Sequence, residues 1–170
     1  MKSVAFTSIG RVSFALAARL WAGFVGACVG AALLAGTTSQ ATAQPSALPD
    51  KPFAEHRLAL QLSDNDPKKQ ALVISVAYNL LKFYGPDRIA IEIVTFGPGI
   101  DLLRADSPSQ QRVDSLVAQG VRFDLCMNTV DTIERETGRR PQFNANAIPV
   151  EAGVAQILVL TENGYTLVRP

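Results

Sequence analysis

The run Ile89-Ala90-Ile91-Glu92-Ile93-Val94-Thr95-Phe96 constrains this chain more than any other stretch. It is nearly all apolar and rich in β-branched residues, as expected of a strand covered on both faces in a parallel sheet. Its flanks have matching patterns. His56–Leu62 alternates as a short strand, and Ser63-Asp64-Asn65-Asp66 is a turn in which Asp66 caps a helix beginning at Pro67. Val73, Val76, Ala77, Leu80, Leu81 and Tyr84 then recur at helical spacing until Gly85-Pro86. Beyond the central run, Gly97-Pro98-Gly99 breaks the strand and Ser107-Pro108 opens a second helix that ends at Gly120. Val121–Met127 reads as a third strand, with Asn128 or Thr129 capping a third helix to about Gly138. Val154–Thr161 is predicted as a fourth strand, and Asn163-Gly164 as a turn into Tyr165–Val168. The order βαβαβαββ predicts an α/β fold: a three-layer α/β/α domain with a mostly parallel sheet of about five strands. The direction of the last strand stays open.

The first 43 residues have a different character. Lys2, Arg11 and Arg19 precede or flank an apolar run from Leu20 to Ala35, and a small polar stretch ends in Ala41-Thr42-Ala43. Basic start, apolar middle and A-x-A site make a secretory signal peptide, with cleavage after Ala43. The alternative, a retained membrane anchor, is disfavoured because the apolar run falls short of the ~20 residues that span a bilayer. Cleavage predicts a periplasmic or secreted protein without stable membrane insertion. Residues 44–55, with Pro45, Pro49 and Pro52, form a linker, and 56–170 form the domain. Removing the leader takes away three of 16 basic residues and none of 15 acidic ones, so the formal net charge falls from +1 to −2. That balance carries no electrostatic footprint for nucleic acid. Cys28 leaves with the leader, so Cys126 is the sole cysteine of the exported chain, and one histidine excludes a histidine-rich metal site. No metal and no cofactor are expected.

Open α/β sheets bind ligands beyond the carboxyl ends of their strands. The segments predicted there are Ser63–Asp66, Gly97–Gly99, Cys126–Thr129 and Thr161–Asn163. Cys126 lies just before a predicted helix, where unpaired N–H groups and the helix dipole favour a thiolate. It shares one face of its strand with Arg122 and Asp124, while Val121, Phe123, Leu125 and Met127 share the more apolar face. Asn128 and Thr129 are candidate donors to a bound anion, with Gly97, Pro98, Gly99, His56 and Asp64 as further candidate ligand-binding residues. Each also has a plainer reading. Cys126 can be a small buried hydrophobe, Gly97-Pro98-Gly99 a tight turn, His56 a strand's first residue and Asp64 a turn residue. Arg139-Arg140 reads as a solvated surface pair.

Taken together, His56, Asn79-Leu80-Leu81 with Tyr84, Phe96-Gly97-Pro98-Gly99 with Asp101-Leu102-Leu103, Arg112-Val113, Gly120-Val121-Arg122-Phe123, Cys126-Met127-Asn128-Thr129 and the ending Gly164–Pro170 resemble the DsrE/DsrF-like family of small α/β proteins linked to sulfur metabolism. The resemblance spans about His56 to Pro170. It implies a three-layer α/β/α fold, assembly into homo-oligomers, and a cysteine, here Cys126, that holds sulfane sulfur as a persulfide and exchanges it with a donor or acceptor protein. The predicted leader sets this chain apart from cytoplasmic relay members. Two functions follow: a periplasmic sulfur carrier or sulfurtransferase-like protein, or a non-catalytic oligomeric binding protein using the pocket at the strand ends. A nucleotide or flavin binder is a weaker third, since no phosphate fingerprint is present.

Overall fold

The computed structural model describes Lys51 and residues 53–170. The predicted leader, its cleavage site and most of the linker lie outside the described residues. Five strands form one sheet: β1 (His56–Leu62), β2 (Ile89–Thr95), β3 (Arg122–Cys126), β4 (Ile148–Val150) and β5 (Thr166–Val168), in the order β4-β3-β2-β1-β5. Every pairing is parallel, with His56 opposite Ile89, Glu92 opposite Arg122, Asp124 opposite Ile148 and Leu58 opposite Thr166. The helices are α1 (Pro67–Tyr84), α2 (Gln110–Ala118), α3 (Met127–Thr137) and α4 (Gly153–Glu162), and a 3-10 segment spans Gly97–Leu103. Helices α1, α2 and α3 cover one face and α4 covers the other, so the domain is a three-layer α/β/α sandwich.

All seven residues of β2 are buried, as its composition demands. Ile91 and Ile93 join Leu60, Leu62, Phe123 and Leu125 in the larger core, under Val73, Ile74, Val113, Leu116 and Val130. Ala90 and Val94 point the other way, with Ala59, towards Ile157 and Leu160 of α4 and Tyr165. The small residues on that side let a single helix lie close to the sheet. Helix α1 starts where expected: the Asp66 side chain accepts from the Lys68 N–H at 2.8 Å, and Pro67 follows without losing a useful donor. Its end at Gly85 has φ 87°, a left-handed conformation that glycine adopts without strain.

Five elements differ from the expectation. Val154–Thr161 lies in a helix, not a strand. A short apolar, β-branched run fits either element, and here helical spacing wins by burying Gly153, Ile157 and Leu160 while Val154 and Leu158 face outward. The fourth strand is instead Ile148–Val150, three residues in the predicted loop, with Pro149 at an edge position where proline costs little. The last strand is no hairpin partner: it pairs parallel to β1 after the chain crosses over through α4. Finally, α2 begins at Gln110 rather than Ser107, and α3 at Met127 with Cys126 itself as N-cap, ahead of Asn128 and Thr129.

The 3-10 segment lies hard against the end of β1. A Cβ on Gly99 would sit 2.2 Å from the Leu62 carbonyl oxygen, which is backbone and has little freedom to yield. Gly99→Ala is therefore expected to destabilise the fold by about 3 kcal/mol. Phe123→Ala, which empties a side chain of zero exposure, is expected to cost about 3–5 kcal/mol. Denaturant titration reads both, and a loss below about 1 kcal/mol in either contradicts the packing described.

Candidate functional site

Three predicted segments meet at the carboxyl edge of the sheet. The Phe96 N–H donates to the Leu62 carbonyl at 3.2 Å, joining the ends of β1 and β2. The Gly97 N–H donates to Thr129 Oγ1 at 2.9 Å, tying the loop after β2 to the first turn of α3. The Asn128 N–H donates to the Glu151 carbonyl at 3.1 Å, which fastens α3 to the loop after β4. Gly97, with φ 52°, and Gly99 are thus placed beside Ser63 and Leu62, and Pro98 is exposed between them. The glycines serve close backbone approach here.

Cys126 ends β3 and caps α3, with extended backbone (φ −70°, ψ 111°) and no capping bond from its own side chain. An anion on its sulfur would lie at the positive end of an eleven-residue helix. The residue is only 5% exposed. By alternation along β3 its side chain shares the sheet face covered by α4. The N-terminus of that helix packs closely here, since a Cβ on Gly153 would stand 3.0 Å from the Phe96 ring.

The other candidates lie elsewhere. Asp64 follows β1 and pairs with Lys69 at 2.8 Å on the half-exposed surface. His56 begins β1, at the amino edge of the sheet and across its full width from Cys126. Its ring packs on Tyr84 with centroids 4.1 Å apart, beside a shallow cavity of about 300 Å3 lined by Arg57, Leu80, Gly164 and Thr166. Thr161, Glu162 and Asn163 form the end of α4 and so stand at the amino edge as well, away from the carboxyl edge predicted for them. Arg140 pairs with Asp131 at 2.9 Å and with Glu134 along α3.

A charged cluster under α4 was not singled out in the sequence reading. Glu92 of β2 and Asp124 of β3 both have zero exposure on the same sheet face. Arg122 Nε stands 3.4 Å from Glu92 Oε2, and Gln156 of α4 donates to Glu92 Oε1 at 2.8 Å. Both Asp124 carboxyl oxygens, Glu92 Oε2, Arg122 Nε and Nη2 and the Tyr165 hydroxyl are buried without a hydrogen-bond partner among the described residues. Burial, then the neighbouring Glu92 carboxylate, push Asp124 up to about 9. Burial likewise raises Tyr165, over whose ring the Arg57 guanidinium lies at 5.8 Å. The alternation of Arg122, Asp124 and Cys126 was visible in the sequence. The register that sets Glu92 opposite Arg122 was not.

Among the described residues no group of three or more His, Cys, Asp or Glu side chains is arranged to hold a metal ion. No described helix is long and apolar enough to cross a membrane. No protein-family model and no curated protein matches the chain. Among solved structures it is similar to the protein of unknown function MTH1491 from Methanobacterium thermoautotrophicum, at 29% identity and a TM-score of 0.61, over 68% of this chain and 100% of that one.

Proposed function

We propose that this is an exported, DsrE-like sulfur carrier or sulfurtransferase-like protein that holds sulfane sulfur as a persulfide on Cys126. The observation that carries the reading is the position of that thiol: it is the N-cap of α3, at the carboxyl end of a strand next to the centre of a parallel sheet. In the loading step the Cys126 thiolate attacks the sulfane sulfur of a donor persulfide. The new S–S bond forms at Cys126, the donor's S–S bond breaks, and the donor sulfur leaves as a thiolate. The charge left on the Cys126 persulfide then faces the helix N-terminus. Burial suits a carrier that protects its cargo from water and oxidants, and it requires that the covering elements yield when sulfur is passed on.

A second reading has its own support. The outer face of α4 exposes Val154 and Leu158 at 58% each and Val159 at 40%. An apolar stripe of that kind, together with a nearly closed thiol, fits an oligomeric binding protein without sulfur chemistry.

The two separate on the mass of the intact protein. The carrier reading expects Cys126 to alkylate rapidly in the native state at neutral pH and to gain about 32 Da, one sulfur atom, from a persulfide donor. Cys126→Ser abolishes both changes. A thiol that reacts only after denaturation overturns the carrier, and a Cys126→Ser protein that retains its ligand and assembly establishes the second reading.

A further inference from the structure

Among the described residues the cluster under α4 holds two buried carboxyls, only one of them in ion-pair contact. Glu92 and Asp124 lie diagonally on neighbouring strands of one face, because Glu92 pairs with Arg122 and Val94 pairs with Asp124. Among the described residues Arg122 is the one guanidinium in ion-pair contact with either of them, and that contact is with Glu92. The groups facing the pair come from every element packed around it. β3 supplies Arg122 and, at its end, Cys126, and α4 supplies Gln156. Tyr165 and the Arg57 guanidinium above its ring stand beside β5 and β1. The one ionisable residue of α4, Glu162, is exposed at its far end. Two ionised carboxylates buried together, with ion-pair contact from Arg122 alone among the described residues, carry a heavy desolvation cost. One proton between the carboxyls neutralises one of them and gives an Asp124 oxygen a partner.

We propose that Glu92 and Asp124 share one proton, and that this proton latches α4 onto the sheet through the Gln156–Glu92 hydrogen bond. The neutral acid donates to the Glu92 carboxylate, whose other oxygen accepts from Gln156. When the proton leaves, two adjacent charges must be hydrated, and the cover that has to lift is α4, the one helix on that face among the described residues. This device is independent of sulfur chemistry and holds whether or not Cys126 carries a persulfide.

The direction of the linkage is fixed. An acid whose folded pKa lies above its unfolded value binds a proton on folding, so the stability it supports is greatest below the unfolded value near 4. That stability declines as pH rises to the folded value near 9. The unfolding equilibrium constant of the full chain is therefore expected to rise with pH between about 5 and 8 by one proton more, tenfold per unit, than that of Asp124→Asn. Over the same range of about 5 to 8, protection of the Ile157 and Leu160 amides against hydrogen exchange, corrected for base catalysis, is expected to fall about tenfold per unit in the wild type and to stay level in the variant. An equal pH slope in the two proteins, or α4 protection independent of the substitution, overturns the proposal. Should Asp124→Asn not fold, the carboxyl carbon shift of Asp124 in wild-type protein decides alone: a protonated acid at pH 7 supports the pair, and an ionised one overturns it.

Discussion

Everything in this domain depends on burying β2 on both sides. A strand with no exposed residue needs a layer above and a layer below, and its backbone donors need a strand on each flank. The two layers are unequal. Among the described residues one side receives three helices and most of the large aliphatic side chains; the other receives α4 alone, over alanines, one valine and the charged cluster. The sheet is thus apolar and closely packed on one face, and thin and polar on the other. The thiol of Cys126 belongs to the thin face.

That asymmetry ties the two notable features of the molecule together. Cys126, Asp124 and Arg122 alternate on one side of β3, so the candidate sulfur site and the buried acid pair share a roof. The carboxyl edge itself is closed by backbone bonds from Phe96, Gly97 and Asn128, which leaves few donors there for a ligand. Access to the thiol on this architecture is a question of how firmly α4 and its leading loop are held.

Much of the fold was legible in the residues. The apolar run 89–96 announced a doubly covered strand, and Asp66-Pro67 with Gly85-Pro86 marked both ends of α1. Helix α4 was misread because Val154–Thr161 has the same composition as a buried strand, and only its partners reveal which period is used. β4 was missed because three residues with a central proline carry almost no pattern. At the site, alternation along β3 placed Cys126 correctly on the strand end, whereas His56 and Thr161–Asn163 fall at the opposite edge. The acid pair escaped notice because Glu92 looks like a lone polar interruption in an apolar strand. Its meaning depends on interstrand register, which composition does not encode.

The two outermost strands, β4 and β5, are three residues each, and β4 carries Pro149 at its middle. A short edge exposes few free amide and carbonyl groups, and a proline removes one donor from the row. The all-parallel sheet must bring distant segments together before its ladders close, which makes it slow to complete. While folding is under way, these blunted margins give a second molecule little to add a strand to. The sheet ends where it does in a way that keeps neighbouring chains from continuing it.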